Sequence, residues 1–174
     1  LSLGAIPTWT CAPYQTAMTP RFGAQIVWAE SNASVYVNSV VGARTHRYGD
    51  FVDACAAITG ITPEFGLHLK ENRAATVLVR LENLDSDIAY DTSTYGLIGY
   101  ELGRRLGSRI AVIDGAPQDV SADCLKALGA AGASSGPMAM FHMAGVTPEA
   151  PTVQCALGGR KPEEEMVITM DDLD

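Results

Sequence analysis

The sequence predicts an α/β fold in which a largely parallel sheet is flanked by helices. Short apolar, β-branched runs that are typical of strands alternate with segments whose apolar residues recur at helical spacing. Such alternation is typical of helices packed on the faces of a parallel sheet. The predicted strands are residues 25–30, 66–69, 75–81, 108–113, 138–143 and 166–170, and the predicted helices are residues 33–41, 51–59, 92–106 and 122–133. No linker or internal repeat is apparent, so residues 1–174 are predicted to form a single α/β domain or a fragment of one.

Composition and charge narrow the functional classes. The 174 residues carry a formal net charge of −8, which argues against nucleic acid or an anionic membrane surface as the main partner. No apolar run approaches the roughly 20 residues that span a bilayer, and no signal peptide is recognisable. The four cysteines are far apart and lack zinc-site spacing, which favours reduced thiols in the cytoplasm. Because the sequence starts without Met and ends within what looks like a new element, we expect a fragment of a longer protein.

The first twenty residues are predicted to be irregular, because prolines and threonines recur there without a period. Within them, Cys11 lies on a proline-bounded turn close to Trp9. A thiol in such a place is either part of a site or a small buried hydrophobe, and the sequence favours neither.

The predicted strand at residues 25–30 ends in polar side chains. Glu30, Ser31 and Asn32 supply a carboxylate, a hydroxyl and an amide at its end. Side chains at a strand end commonly build a site, although Ser31 or Asn32 can equally cap the helix that follows. Gly42 is predicted to end that helix.

Cationic residues follow this helix. Arg44 and Arg47 either interact favourably with the helix dipole or form an anion-binding loop for a carboxylate or a phosphate. His46 between them has no visible partner and is predicted to lie at the surface. His68, in the short predicted strand 66–69, is predicted to be exposed or to face a cleft.

The remaining elements follow from periodicity and capping. Asp50 is predicted to cap the second helix, with an apolar stripe that buries Cys55 and is completed by Phe51, Val52 and Ile58. The helix at 92–106 carries a stripe of Leu97, Ile98, Leu102 and Leu106, together with Gly96, Gly99 and Gly103, which are predicted to permit close packing on a sheet. Ser121 is predicted to cap the helix at 122–133, residues 83–91 form an acidic connector, and the charges at 161–165 are predicted to be solvated.

Several segments resemble the aconitase X family, in family order over nearly the whole chain. They are Thr10-Cys11-Ala12-Pro13-Tyr14, Trp28-Ala29-Glu30-Ser31-Asn32-Ala33, Asn38-Ser39-Val40-Val41-Gly42-Ala43-Arg44-Thr45, Arg47-Tyr48-Gly49-Asp50, Gly66-Leu67-His68-Leu69 and the run of residues 140–151 from Met140 to Pro151. The resemblance implies a layered, aconitase-like α/β domain and a hydro-lyase that dehydrates a small hydroxy acid. The wording of the motifs is more similar to the cis-3-hydroxy-L-proline dehydratase type than to the phosphomevalonate dehydratase type.

The resemblance also implies site residues and a cofactor. An iron–sulfur cluster or an iron ion is implied as the Lewis acid on the substrate hydroxyl, with Cys11 as its first cysteine ligand. Glu30 and Ser31 match positions that contact substrate, and Asn38, Arg44 and His68 lie in matching motifs whose individual roles stay open. The other cluster cysteines, the catalytic base and a small swivelling domain or subunit are implied to lie outside this chain, which alone is expected to be inactive. Cys155 is predicted to be incidental.

Two other classes of function stay open. An α/β scaffold with an acidic surface also suits a non-catalytic module that binds a partner or a small ligand. A thiol enzyme that uses Cys11 as its nucleophile is the remaining alternative.

Overall fold

A computed structural model describes residues 9–84 and 88–173, and its central element is a four-stranded parallel sheet. The strands are β1 (Val77–Leu81), β2 (Ala111–Asp114), β3 (His142–Met143) and β4 (Glu164–Ile168), in the order β3-β2-β1-β4. β1 pairs in parallel with both β2 and β4, and β2 pairs in parallel with β3. The predicted α/β class with a largely parallel sheet is therefore confirmed.

The two faces of the sheet pack against different layers. Val77, Val79 and Ile113 point into the larger core, together with the helices α3 (Thr92–Leu106) and α4 (Ala122–Ser135). Leu78 and Val112 point the other way, into a smaller core. This alternation follows from the two-residue side-chain period of a strand, and burial on both faces explains why β1 is almost continuously apolar.

Glycines let α3 and α4 approach each other closely. A Cβ on Gly99 would lie 2.2 Å from the carbonyl oxygen of Leu128, and a Cβ on Gly103 would lie 2.5 Å from that of Gly132. The predicted close packing exists at Gly99 and Gly103, but its partner is α4 and not the sheet, and a Cβ on Gly96 would have nothing within 4 Å. The predicted stripe on α3 is correct except for Leu97, which is exposed. Ser121 caps α4 as predicted, because its Oγ accepts from the backbone N–H of Cys124 at 3.2 Å.

The predicted strand at residues 25–30 is wrong. Only Gln25 forms a bridge, to Arg44, before the ladder stops. The N–H of Trp28 donates to Oγ1 of Thr45 at 3.4 Å, and the N–H of Ala29 donates to a carboxylate oxygen of Asp53 at 3.1 Å. Side chains from distant parts of the sequence therefore satisfy the backbone groups that a strand partner would otherwise bind.

The first helix changes character along its length. α1 (Ser31–Tyr36) continues directly as a π-helical segment, Val37–Val41, and ends at Gly42, whose φ is +74°. Its N-cap is neither Ser31 nor Asn32, because the carboxylate of Glu30 accepts from the N–H of Ala33 at 2.6 Å. A π-helical turn widens the helix and is frequent at functional sites.

Three further local predictions need correction. Residues 66–69 form a 3₁₀ turn, Gly66–His68, and no strand. Helix α2 (Asp50–Thr59) exists, but it buries no residue, and Cys55 is exposed on it. The predicted strand at 138–143 is reduced to β3, because Asn38 donates to the carbonyl of Ala139 and Ser39 accepts from the N–H of Phe141.

The C-terminal part follows the prediction more closely. The predicted edge strand appears two residues earlier, as β4 at the edge of the sheet, and a short helix α5 (Val153–Ala156) precedes it. Residues 1–8 of the predicted irregular segment, 85–87 of the acidic connector and the last residue, 174, lie outside the described residues. Within the described ranges, no helix has the length and apolar character needed to cross a membrane.

Candidate functional site

Three adjoining cavities share lining residues, and Glu30, Arg44 and His68 of the predicted site residues line them. The Trp28 cavity has a volume of about 500 Å³ and is lined by Thr10, Trp28, Glu30 and Asp53, among others. The Arg44 cavity, of about 530 Å³, is lined by Arg44, His68 and Lys70. The His142 cavity, of about 340 Å³, is lined by His142, Glu149 and Cys155. The first two cavities share Gln25 and Thr62, and the last two share Arg44 and Lys70.

Cys11 lies at the surface next to the Trp28 cavity. It is exposed, on the loop between Thr10 and Pro13, which both line that cavity. Tyr14 anchors the loop, because its ring stacks on Tyr36 of α1 with centroids 4.0 Å apart. Burial raises the pKa of the Tyr14 phenol, so this anchor stays uncharged at neutral pH. The thiol of Cys11 is therefore presented from a fixed backbone and is not the buried hydrophobe that the sequence left open.

The Trp28 cavity is acidic. Glu30 reaches it from the start of α1 while its carboxylate caps the N–H of Ala33. Asp53 of α2 lines it too, and one of its carboxylate oxygens accepts from the N–H of Ala29. Ser31 is half-buried and lines none of the three cavities. Of the two predicted substrate contacts here, Glu30 thus faces a cavity, and a role for Ser31 stays a prediction.

Asn38 is fully buried in the π-helical segment, and its polar atoms are bound within the protein. Its Oδ1 accepts from the N–H of Thr45 at 3.0 Å and from Nη1 of Arg73 at 3.1 Å, and its Nδ2 donates to the carbonyl of Ala139 at 3.0 Å. Asn38 therefore fixes the loop that carries Arg44, and the predicted substrate contact of its side chain stays a prediction.

Arg73 connects the parts of the site. Its side chain is 1% exposed, and its Nε donates to both carboxylate oxygens of Glu149 at 3.0 Å. Its Nη1 also donates to the carbonyl of Leu67 at 3.0 Å, and its Nη2 donates to the carbonyl of Asn38 at 2.9 Å. A buried guanidinium needs this many partners because its desolvation is costly.

Gln25 holds His68 in one tautomer at the Arg44 cavity. Nε2 of Gln25 donates to the carbonyl of His68 at 3.2 Å, and Oε1 of Gln25 lies 2.6 Å from Nδ1 of His68. Because an amide oxygen only accepts, Nδ1 carries the proton and Nε2 keeps its lone pair. Burial, with smaller contributions from His46 and Arg73, lowers the pKa of His68, so the imidazole is neutral at pH 7.

The three basic residues that follow the first helix have different surroundings. Arg44 is half-buried and lines two cavities. Arg47 instead donates to the carbonyls of Ala133 and Gly136 at the end of α4, at 3.0 and 2.8 Å, which is a helix-end role on a different helix from the one expected. The surface placement predicted for His46 is wrong, because its ring packs edge-on against Phe65 with centroids 5.1 Å apart.

Several residues at this site were not singled out from the sequence. His142 and Glu149 lie in the run 140–151 that carried the family resemblance, so this motif could have identified them as candidates. Gln25, Lys70 and Arg73 had no such signal, because their roles depend on contacts that form only in the folded chain.

The described residues do not hold a complete metal site. No three side chains of His, Cys, Asp or Glu among them come close enough to hold a metal ion. Cys124 is buried and its Sγ contacts the carbonyl of Tyr90, while Cys55 and Cys155 are exposed on α2 and α5. A single thiolate, Cys11, does not retain an iron–sulfur cluster, which is usually held by several cysteines.

Comparison with known proteins identifies two consecutive family regions. The profile of the aconitase X first domain matches residues 1–71, and that of the aconitase X second domain matches residues 75–174. The crystal structure of Thermococcus kodakaraensis aconitase X (holo-form) superimposes with a TM-score of 0.86 at 37% identity, over 97% of this chain and 41% of that one. The predicted aconitase-like architecture is confirmed.

The curated relatives are named for two different activities. Cis-3-hydroxy-L-proline dehydratases of Hypocrea jecorina and Pseudomonas aeruginosa are 50% and 47% identical to this chain over 98% and 99% of its length. The phosphomevalonate dehydratase large subunit of Methanothermobacter thermautotrophicus is 45% identical over 85% of the chain. The chain spans 29% and 30% of the length of the first two relatives and 36% of the third.

Proposed function

This chain belongs to the aconitase X family, and from that premise we propose that it is part of a hydro-lyase that dehydrates cis-3-hydroxy-L-proline to a pyrroline carboxylate. One observation carries the proposal. The two relatives named for that activity are 50% and 47% identical to the chain along essentially its whole length, whereas the archaeal phosphomevalonate dehydratase large subunits that match are 34–45% identical. The partners of the proposed enzyme are the small hydroxy acid and a small swivelling domain or subunit, and the proposed compartment is the cytoplasm.

The residues of this chain are assigned to binding and positioning. Arg44 is proposed to hold the substrate carboxylate, because it is a half-buried cation at the wall of two cavities. His68 is proposed to contact the substrate from the same wall as a neutral imidazole of fixed tautomer. Glu30 and Ser31 are proposed substrate contacts on the side of the Trp28 cavity, and Asn38 keeps the Arg44 loop in place.

An iron–sulfur cluster or an iron ion is the proposed cofactor, and Cys11 is its proposed ligand from this chain. The exposed thiol on an anchored loop supports that role. The described residues supply no complete ligand set, so the remaining ligands are proposed to come from polypeptide outside this chain. The catalytic base is likewise proposed to lie outside the chain.

A chimeric enzyme tests the proposal. This chain replaces the matching segment of the Pseudomonas aeruginosa relative, with which it shares 47% identity over 174 residues. The chimera is purified without oxygen and assayed with cis-3-hydroxy-L-proline and with phosphomevalonate. We expect turnover of the imino acid that disappears in Cys11→Ser and persists in Cys55→Ser, since Cys55 is exposed on α2 and lines none of the three cavities.

The alternatives give different results in the same assay. Turnover of phosphomevalonate alone would keep the reaction class and replace the substrate. Imino acid turnover that survives removal of iron but is lost on alkylation of Cys11 would indicate a thiol enzyme. A folded chimera that turns over neither substrate would favour the non-catalytic binding module.

A further inference from the structure

Two cations at the boundary of the Arg44 and His142 cavities have no partner among the described residues. Arg44 and Lys70 line both cavities, and neither makes an ion pair or a side-chain hydrogen bond within residues 9–84 and 88–173. The Nε atom of Arg44 is buried and unbound. Buried polar groups are nearly always hydrogen-bonded in folded proteins, so a buried guanidinium nitrogen without an acceptor indicates that an acceptor is supplied by something else.

His142 adds an unsatisfied polar atom to the same cavity. The residue is 2% exposed, and its Nε2 lies 2.7 Å from the carbonyl oxygen of Arg73. Because a carbonyl only accepts, Nε2 carries the proton and Nδ1 is a bare acceptor. This Nδ1 is buried and has no partner among the described residues. The residues that line this cavity therefore include two cations and a histidine with one unpaired acceptor.

The charge of the other ionisable groups at this wall is already balanced. Arg73 and Glu149 both line the His142 cavity, but they form a pair with Nη2 to Oε1 at 2.8 Å. Among the residues that line the His142 cavity, the uncompensated charge is thus that of Arg44 and Lys70. The Arg44 cavity on the other side also contains Glu64 and Glu71, so the excess positive charge faces the His142 cavity. A cavity of about 340 Å³ is within the range of small-molecule sites and is large enough for a five-membered ring with a carboxylate.

We propose that Arg44 and Lys70 form a subsite for an oxyanion, with Nδ1 of His142 as an acceptor for a donor group on the same ligand. The oxyanion is a carboxylate or a phosphate monoester, since each presents at least two charged oxygens that a guanidinium and an ammonium can bind together. Lys70 and His142 are thereby added to the site as binding residues. The identity of the ligand rests on the proposed function, whereas the position of its charged group follows from Arg44 and Lys70.

The subsite is tested by ligand titration of the 174-residue chain in low-salt buffer, followed through amide and imidazole ¹⁵N shifts. The probes are L-proline, which has the ring nitrogen and carboxylate but no hydroxyl to lose, and inorganic phosphate. We expect saturable shifts at His142 and Gly158, which both line the cavity, with one of the two probes. Tighter binding of L-proline identifies a carboxylate ligand, and tighter binding of phosphate identifies a phosphate monoester.

Matched variants make the test specific. Lys70→Gln and Arg44→Gln are each expected to weaken binding at least about tenfold, the usual effect of losing one hydrogen bond to a charged group. Lys126→Gln removes the same charge from a half-buried position on α4 that lines none of the three cavities, and it is expected to leave binding unchanged. Lys70 is exposed, so its variant remains informative if Arg44→Gln fails to fold. Absence of saturable binding, or equal binding by Lys70→Gln and the parent chain, would overturn the subsite.

The subsite and the proposed function can fail independently of each other. An active chimera together with a chain that binds neither probe would overturn only the subsite. An inactive chimera together with saturable binding that depends on Lys70 would support the subsite and overturn the proposed dehydratase.

Discussion

Replacing the buried Arg73 by Met is expected to lower the free energy of unfolding by about 3–5 kcal/mol, the usual result of removing one partner of a buried ion pair. Met keeps most of the aliphatic stem and removes the guanidinium, so the change isolates the polar contacts of the side chain. The Arg73 side chain joins Glu149, Asn38 and Leu67, so its removal breaks contacts between three parts of the site at once.

The magnitude follows from the groups that lose a donor. The carbonyls of Asn38 and Leu67 each lose a hydrogen bond of 2.9–3.0 Å, and a buried acceptor left unsatisfied costs about 1–3 kcal/mol. Glu149 loses its bidentate cation, but its side chain is 18% exposed and water recovers part of that loss. Oδ1 of Asn38 retains the N–H of Thr45, which limits the damage at that atom.

The assay is urea unfolding followed by far-UV circular dichroism, with Arg80→Met as the control. The side chain of Arg80 is 45% exposed and pairs with Asp114 and Glu165 at 3.5 and 3.7 Å, so its removal is expected to cost no more than about 1 kcal/mol. If Arg73→Met loses no more stability than Arg80→Met, the buried network does not hold the site together and the reasoning is refuted.

Two further predictions concern packing and pH. Gly99→Ala is expected to destabilise the chain by about 1–3 kcal/mol, because the added Cβ would lie 2.2 Å from the carbonyl oxygen of Leu128. Gly96 is on the same helix, but a Cβ there would have nothing within 4 Å, so Gly96→Ala is expected to stabilise the chain by about 0.5–1 kcal/mol. Thermal melts of the two variants must shift in opposite directions. Burial lowers the pKa of all three histidines below the ordinary value of 6.5, so the unfolded chain binds more protons below that pH. The free energy of unfolding is therefore expected to fall as the pH drops from about 6.5, by up to about 1.4 kcal/mol per pH unit for each histidine, and a flat profile between pH 7.5 and 5.5 would contradict this.

Apolar patterns in the sequence predicted those elements whose local preference for helix or strand agrees with their packing in the folded chain. β1 is apolar and β-branched and lies in the middle of the sheet, and α3 has a long apolar stripe, so both were identified from the sequence. The apolar run at 25–30 satisfies the same criteria, yet Thr45 and Asp53 take its backbone N–H groups. Helix α2 has helical spacing of apolar residues, but spacing does not say what covers them, and Phe51 is 89% exposed.

The candidate site residues were chosen one by one and not as a network. Arg44 and His68 were chosen because they lie in short motifs; both line the Arg44 cavity, and their roles stay predictions. The pairing of Arg73 with Glu149 joins residues 76 positions apart, and Gln25 reaches His68 across 43 positions. No spacing rule predicts such pairs, since they depend on how distant loops meet once the sheet has formed.

The proposal that this chain serves a cis-3-hydroxy-L-proline dehydratase is tested most directly by one ratio. It is the kcat/KM of the oxygen-free chimera for cis-3-hydroxy-L-proline divided by that for phosphomevalonate. We predict a large ratio that depends on iron and on Cys11. A ratio below one, or a folded and iron-loaded chimera without activity on the imino acid, would contradict the proposed function.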